Sequence, residues 1–441
     1  MRSRCDQGKR SKYTWLPVLA TTGSCSRDEL YSQQHHNFVE VQIQIQEKSS
    51  PVRQTNIQFC RLFIMNTLSE ANGTFAIHLF KILCQDNPSK NVCYSPVSIS
   101  SALAMVLLGA KGDTAVQISQ ALNLNKHPDE DIHKDFQLLL HNLNKPKSHY
   151  CLRIANRLFA ENTCKLVPTY KESCLRFYNS EIEQLSFAKA AEESRKHINT
   201  WVSKQTEGKI PELLSSDSVG SETKLIMVNA LYFQGSWLHC FDKEFTMEMP
   251  FKINKKETKP VQMMWQEETF DVAYVKEIQA QILVMPYRGM EMSFMVLLPD
   301  EGVDIRKVES SLTFEKLTAW TKPEFIYSTE VYVYLPKFQL QEQYDMTALF
   351  QHLGMIDVFS EIKADLSGMC PEKDLCVSKF VHECVVEVNE EGTEAAAASA
   401  ADCCYSCSEY TPTFCADRPF LFFIRHNQTN SILFCGRFSS P

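Results

Sequence analysis

Between residues 393 and 401 the chain puts a small, uncharged side chain at every second position: Thr393, Ala395, Ala397, Ser399 and Ala401. Glu394 and Asp402 fall on the other parity. The run follows the strand-like Val385-Val386-Glu387-Val388 and leads into a polar, cysteine-rich stretch ending near Thr413. Alanine favours helix, but Gly392 stands before the run and no long apolar side chain would anchor a helix to a core. At rest, such a segment is an exposed loop. As a strand, it could enter a packed sheet with one face while both charges point to water. That is an unusual property for a loop.

The remaining pattern supplies the sheets. Residues 225–233 are almost continuously apolar, as in a strand covered on both faces. Residues 282–285 and 293–298 flank Tyr287-Arg288-Gly289-Met290 and predict a hairpin. Residues 331–335 are strand-like, and 420–424 and 431–434 are joined by the polar turn 426–430. Ser95 can cap a helix that starts with Pro96 in its first turn and stops at Gly109. That helix is apolar nearly all round, so it should be buried. A second, amphipathic helix is expected over 190–206, with Ile198, Trp201 and Val202 on one face and Gly208 at its end. Together these predict an α+β protein. No repeat or linker divides 65–441, which reads as one domain; residues 1–64 are polar and irregular, and are expected to be a disordered extension outside it.

Composition narrows the function. A net charge of -8 argues against nucleic-acid or anionic-membrane binding, and no apolar run reaches the roughly 20 residues that span a bilayer. The 17 cysteines are odd in number and scattered; several, such as Cys84 and Cys435, sit in apolar surroundings and read as reduced core residues of a reducing compartment. The motifs of common hydrolases and nucleotide-binding enzymes are absent: there is no G-x-S-x-G, H-E-x-x-H or G-x-x-x-x-G-K-[ST]. Cys404-Tyr405-Ser406-Cys407 lacks a second ligand pair, so neither metal nor cofactor is expected.

Several stretches, in this order, resemble the serpins: Asn91-Val92-Cys93-Tyr94-Ser95-Pro96, then 229–237 ending in Gly235-Ser236-Trp237, then the loop start Glu390-Glu391-Gly392-Thr393-Glu394-Ala395-Ala396-Ala397-Ala398, then Asp417-Arg418-Pro419-Phe420. Met65-Asn66-Thr67-Leu68-Ser69 and the ending Ser439-Ser440-Pro441 are similar to the ovalbumin-type intracellular branch, and most like its granzyme B-inhibiting member. The resemblance implies three β-sheets, about nine helices and a reactive loop over 390–414. It implies an inhibitor, not an enzyme: a target serine protease cuts the loop, is held as a covalent acyl-enzyme, and is dragged as the loop inserts into the central sheet. The hinge would be Glu391, Gly392, Thr393, Glu394, Ala395, Ala396, Ala397 and Ala398. The polar cluster where the sheet parts would be Ser95, Ser98, Asn229 and His382, with Trp237 at the loop's entry point. Hinge spacing places the cut between Ser406 and Cys407, whereas counting back from Phe414 places it at Tyr405–Ser406. The chemistry of a deep apolar specificity slot favours tyrosine. The expected protein is a cytoplasmic monomer with access to the nucleus, without nucleic-acid or membrane partners. The competing reading is a non-inhibitory carrier, chaperone or storage serpin.

Overall fold

Strand Leu225–Gly235 runs through the middle of a five-stranded sheet, and its alternation explains the layers on either side. Ile226, Val228, Ala230 and Tyr232 point into one apolar cluster with Ile198 and Val202 of helix Ala191–Gln205. Leu225, Met227, Leu231 and Phe233 point the other way, into the main core. Both faces are covered, which is why the strand is apolar at consecutive positions. A computed structural model describes residues 51–125, 129–145, 150–372, 375–392 and 411–441, with side chains from Thr67 onward. Within them lie nine α-helices and two sheets.

The five-stranded sheet runs in the order Phe338–Asp345, Lys379–Val388, Leu225–Gly235, Tyr150–Glu161, Ile182–Leu185. Lys379–Val388 is antiparallel to Phe338–Asp345 but parallel to Leu225–Gly235, with His382 opposite Asn229. The second sheet has nine strands and includes the expected hairpin, Ala280–Pro286 with Met292–Pro299. It also holds the C-terminal pair Phe420–His426 and Ser431–Phe438. Two of the three expected sheets are continuous here, because strand Thr258–Val275 is long enough to serve both. It pairs in turn with Met247–Lys252, Tyr327–Pro336 and Ala280–Pro286.

Helix Pro96–Gly109 is buried along nearly its whole length. Ser95 is extended and its hydroxyl accepts from the Ser98 N–H at 3.3 Å, so the helix starts where capping chemistry predicts. Gly109 is the last helical residue, and its role is close approach: an added Cβ would lie 2.7 Å from that of Met369. In helix Ala191–Gln205, Ile198 and Val202 are buried as expected, while Trp201 is half-buried under the Arg157 guanidinium. Helix Pro51–Asp86 begins inside the stretch that the sequence presents as irregular. Residues 61–441 form one compact unit.

Candidate functional site

Four strands of the central sheet carry a polar row at one level: Asn156 opposite Asn229, Asn229 opposite His382, and His382 opposite Tyr344. Asn229 lies on the core-facing parity of its strand, where the fully buried amide must be satisfied by neighbours. Its Nδ2 donates to the Ser98 hydroxyl at 2.8 Å and to Asn156 Oδ1. Its Oδ1 meets His382 Nδ1. The other ring nitrogen of His382, Nε2, accepts from the Ser95 N–H at 3.2 Å. Since Nε2 is an acceptor, the proton of the neutral ring sits on Nδ1 and is donated to Asn229. Complete burial lowers the His382 pKa to about 3, so the ring is neutral at physiological pH. Ser95, Ser98, Asn229 and His382, separated widely in sequence, thus form one network across the two parallel strands and the helix start beneath them.

Asn156 completes this network and was not among the residues singled out from the sequence. Its Nδ2 donates to the Ser98 carbonyl at 3.3 Å and to the Ser101 hydroxyl at 3.0 Å. Parity held the signal: Asn156 shares its face with Leu152, Ile154 and Leu158, so a polar residue there faces the core.

At the top of strand Lys379–Val388 the chain turns sharply. The Asn389 side chain accepts from the Glu391 N–H at 3.1 Å, and the Gly392 N–H returns to the Asn389 carbonyl at 3.2 Å. Gly392 has φ +79, and a Cβ would lie 2.4 Å from both the Gly235 oxygen and the Trp237 nitrogen. Glycine is required here on both counts. Trp237 is buried, stacked on Tyr287 with ring centroids 4.6 Å apart, and its indole N–H donates to the Asn389 carbonyl at 2.8 Å. The Trp237 and Phe241 N–H groups donate to the carbonyls of Glu391 and Glu390. Glu391 pairs with Lys243. The Glu390 carboxylate is buried, 2.9 Å from both Lys337 Nζ and Thr246 Oγ1. Burial alone would raise its pKa, but Lys337, its own N–H and Thr246 offset that and hold it below the usual value. Sequence gave no sign of this anchor, since Lys337 is 53 positions away.

From Gly392 the chain passes to Pro412, whose carbonyl accepts from the Tyr332 N–H at 3.0 Å. Thr413–Cys415 then pairs in parallel with Tyr327–Pro336 in the nine-stranded sheet. The segment between is therefore anchored to one sheet at its start and to the other at its end. The hinge residues Thr393, Glu394, Ala395, Ala396, Ala397 and Ala398 lie outside the described residues, as do Tyr405, Ser406 and Cys407. Among the described residues, no group of three or more His, Cys, Asp or Glu could hold a metal ion, and no helix is long and apolar enough to cross a membrane.

Comparison with known proteins bears on this arrangement. The model of the serpin family (serine protease inhibitor) matches residues 70–441. Human Serpin B9 is 65% identical over 381 residues, spanning 86% of this chain and 100% of its own length. Human Serpin B8 is 55% identical over 377 residues with the same coverage. Among solved structures, uncleaved ovalbumin superposes with a TM-score of 0.79 at 37% identity, covering 85% of this chain and all of its own.

Proposed function

The chain belongs to the serpin family of serine protease inhibitors, and from that premise we propose that residues 390–414 are the bait segment of a suicide inhibitor. It is an inhibitor and not an enzyme. One observation carries the proposal: strands Lys379–Val388 and Leu225–Gly235 are parallel neighbours, and the first ends in a tight turn over residues 389–392 that closes at Gly392. A chain turning back there would run antiparallel to both strands and could pair with each once they part. Parting must widen their spacing by about 5 Å, the width of one strand. The network of Ser95, Ser98, Asn156, Asn229 and His382 bridges that seam with side chains that can exchange partners.

In this reading the target protease attacks the loop and forms an acyl-enzyme. The small side chains of Thr393, Ala395, Ala397, Ser399 and Ala401 enter the sheet before deacylation. Residues 393–405 would add 13 residues of strand, roughly 40 Å, and carry the tethered protease with them. Cleavage after Tyr405 suits a chymotrypsin-like protease, whose apolar slot takes an aromatic ring; Ser406 is the alternative. A granzyme that cuts after acidic residues would instead use Asp402 and leave a shorter inserted strand. Residues 65–441 constitute the inhibitory domain, a reading supported by the family match over residues 70–441. The inhibitor acts as one chain per protease, in the cytoplasm with access to the nucleus. Mass spectrometry of the C-terminal peptide released on complex formation tests the bond: a peptide beginning at Ser406 is expected. One beginning at Cys403 overturns the tyrosine assignment.

A further inference from the structure

Two thiols that the inhibitory mechanism does not use meet beneath the same seam. Cys93 lies in the short strand Val92–Tyr94, which is hydrogen-bonded to the nine-stranded sheet. Cys384 lies in Lys379–Val388 of the five-stranded sheet. Both are fully buried, and their sulfurs are 3.1 Å apart. Each is two residues from a member of the polar network, Ser95 on one side and His382 on the other. The Cys93 N–H donates to the Tyr344 hydroxyl, which fixes the backbone around the pair.

We propose that Cys93 and Cys384 are an oxidisable pair that forms a disulfide joining the two sheets. Closing the gap to the ~2.0 Å of a disulfide asks for a movement of about 1 Å. Hydrogen peroxide, small and uncharged, is the oxidant. Its oxygen takes an electron pair from one sulfur, giving a sulfenic acid and releasing one water. The second thiol then attacks that sulfur, the S–O bond breaks, and a second water leaves. Two thiols and one peroxide thus give one disulfide and two waters. Burial and the neighbouring Cys93 raise the Cys384 pKa, so that thiol stays protonated and reacts slowly. The cross-link bridges positions 291 apart and fastens Lys379–Val388, not Leu225–Gly235, to the layer beneath.

The test is peptide mapping of the full chain after peroxide treatment and alkylation, and it needs no protease target. Combined tryptic and glutamyl cleavage isolates Cys384 in residues 384–387, away from the loop cysteines, and Cys93 in a separate peptide. The expected product joins these two peptides. The thermal midpoint should rise by about 5 °C, reverse with dithiothreitol, and fail to rise in Cys384→Ala. Separate alkylation of both cysteines in the oxidised protein overturns the proposal. So does linkage of Cys93 to Cys435, the buried thiol opposite Tyr94 on the same ladder. Because mapping is done on the unaltered chain, the result stands even if the alanine variant does not fold.

Discussion

His382 carries a pH dependence that follows directly from its burial. Its folded pKa, about 3, lies below the ordinary value of 6.5, so between these the unfolded chain binds more protons. Stability therefore rises with pH through that window and is fully present above 6.5. Each pH unit lost below 6.5 costs up to about 1.4 kcal/mol from this group. Gln at this position cannot titrate. His382→Gln should lose less of its own neutral-pH thermal midpoint between pH 6.5 and 4.5 than the unaltered protein does. Equal losses would show that His382 takes up its proton as readily in the folded state as in the unfolded one. The sequence made this residue visible only through its resemblance, because one histidine in Val381-His382-Glu383-Cys384 has no local signature. Asn229 was likewise singled out only through the resemblance, although it interrupts an apolar run. Asn156 was legible by parity, but only once its strand was known to face the core. The Glu390–Lys337 contact was not legible at all, since it depends on how distant segments fold together.

At the scale of elements, local chemistry was a good guide wherever it sufficed. Capping at Ser95, the hairpin around Gly289 and the C-terminal strand pair all follow from nearby residues, and the structure has each of them. Pairing partners were less accessible. Nothing in either sequence says that Lys379–Val388 lies parallel to Leu225–Gly235, yet this register creates the seam the loop is proposed to enter. The joining of two expected sheets through Thr258–Val275 was likewise set by strand length and distant pairing. Thr393→Arg would place an unpaired charge at the first inward position of the inserting strand, at a cost of several kcal/mol even after relaxation. Insertion should slow and deacylation win, so most of the inhibitor would be cleaved without retaining protease. An unchanged yield of covalent complex would show that Thr393 stays outside the sheet.

For the whole molecule, the inhibitory domain is proposed to be self-sufficient. Among the described residues, the main core runs from Leu68, Ala71 and Phe75 through to Phe438. A chain beginning at Met65 should therefore keep the thermal midpoint and the inhibition rate of the full chain, which calorimetry and progress curves would measure. A markedly lower midpoint would place residues 1–64 within the cooperative fold. The central claim is that cleavage is coupled to trapping, and it is tested most directly by incubating the full chain with a chymotrypsin-like protease and resolving the products under denaturing conditions. The account predicts a denaturation-resistant complex of inhibitor and protease joined through an ester at the protease serine. Complete cleavage of the loop after Tyr405 with no such complex would contradict it.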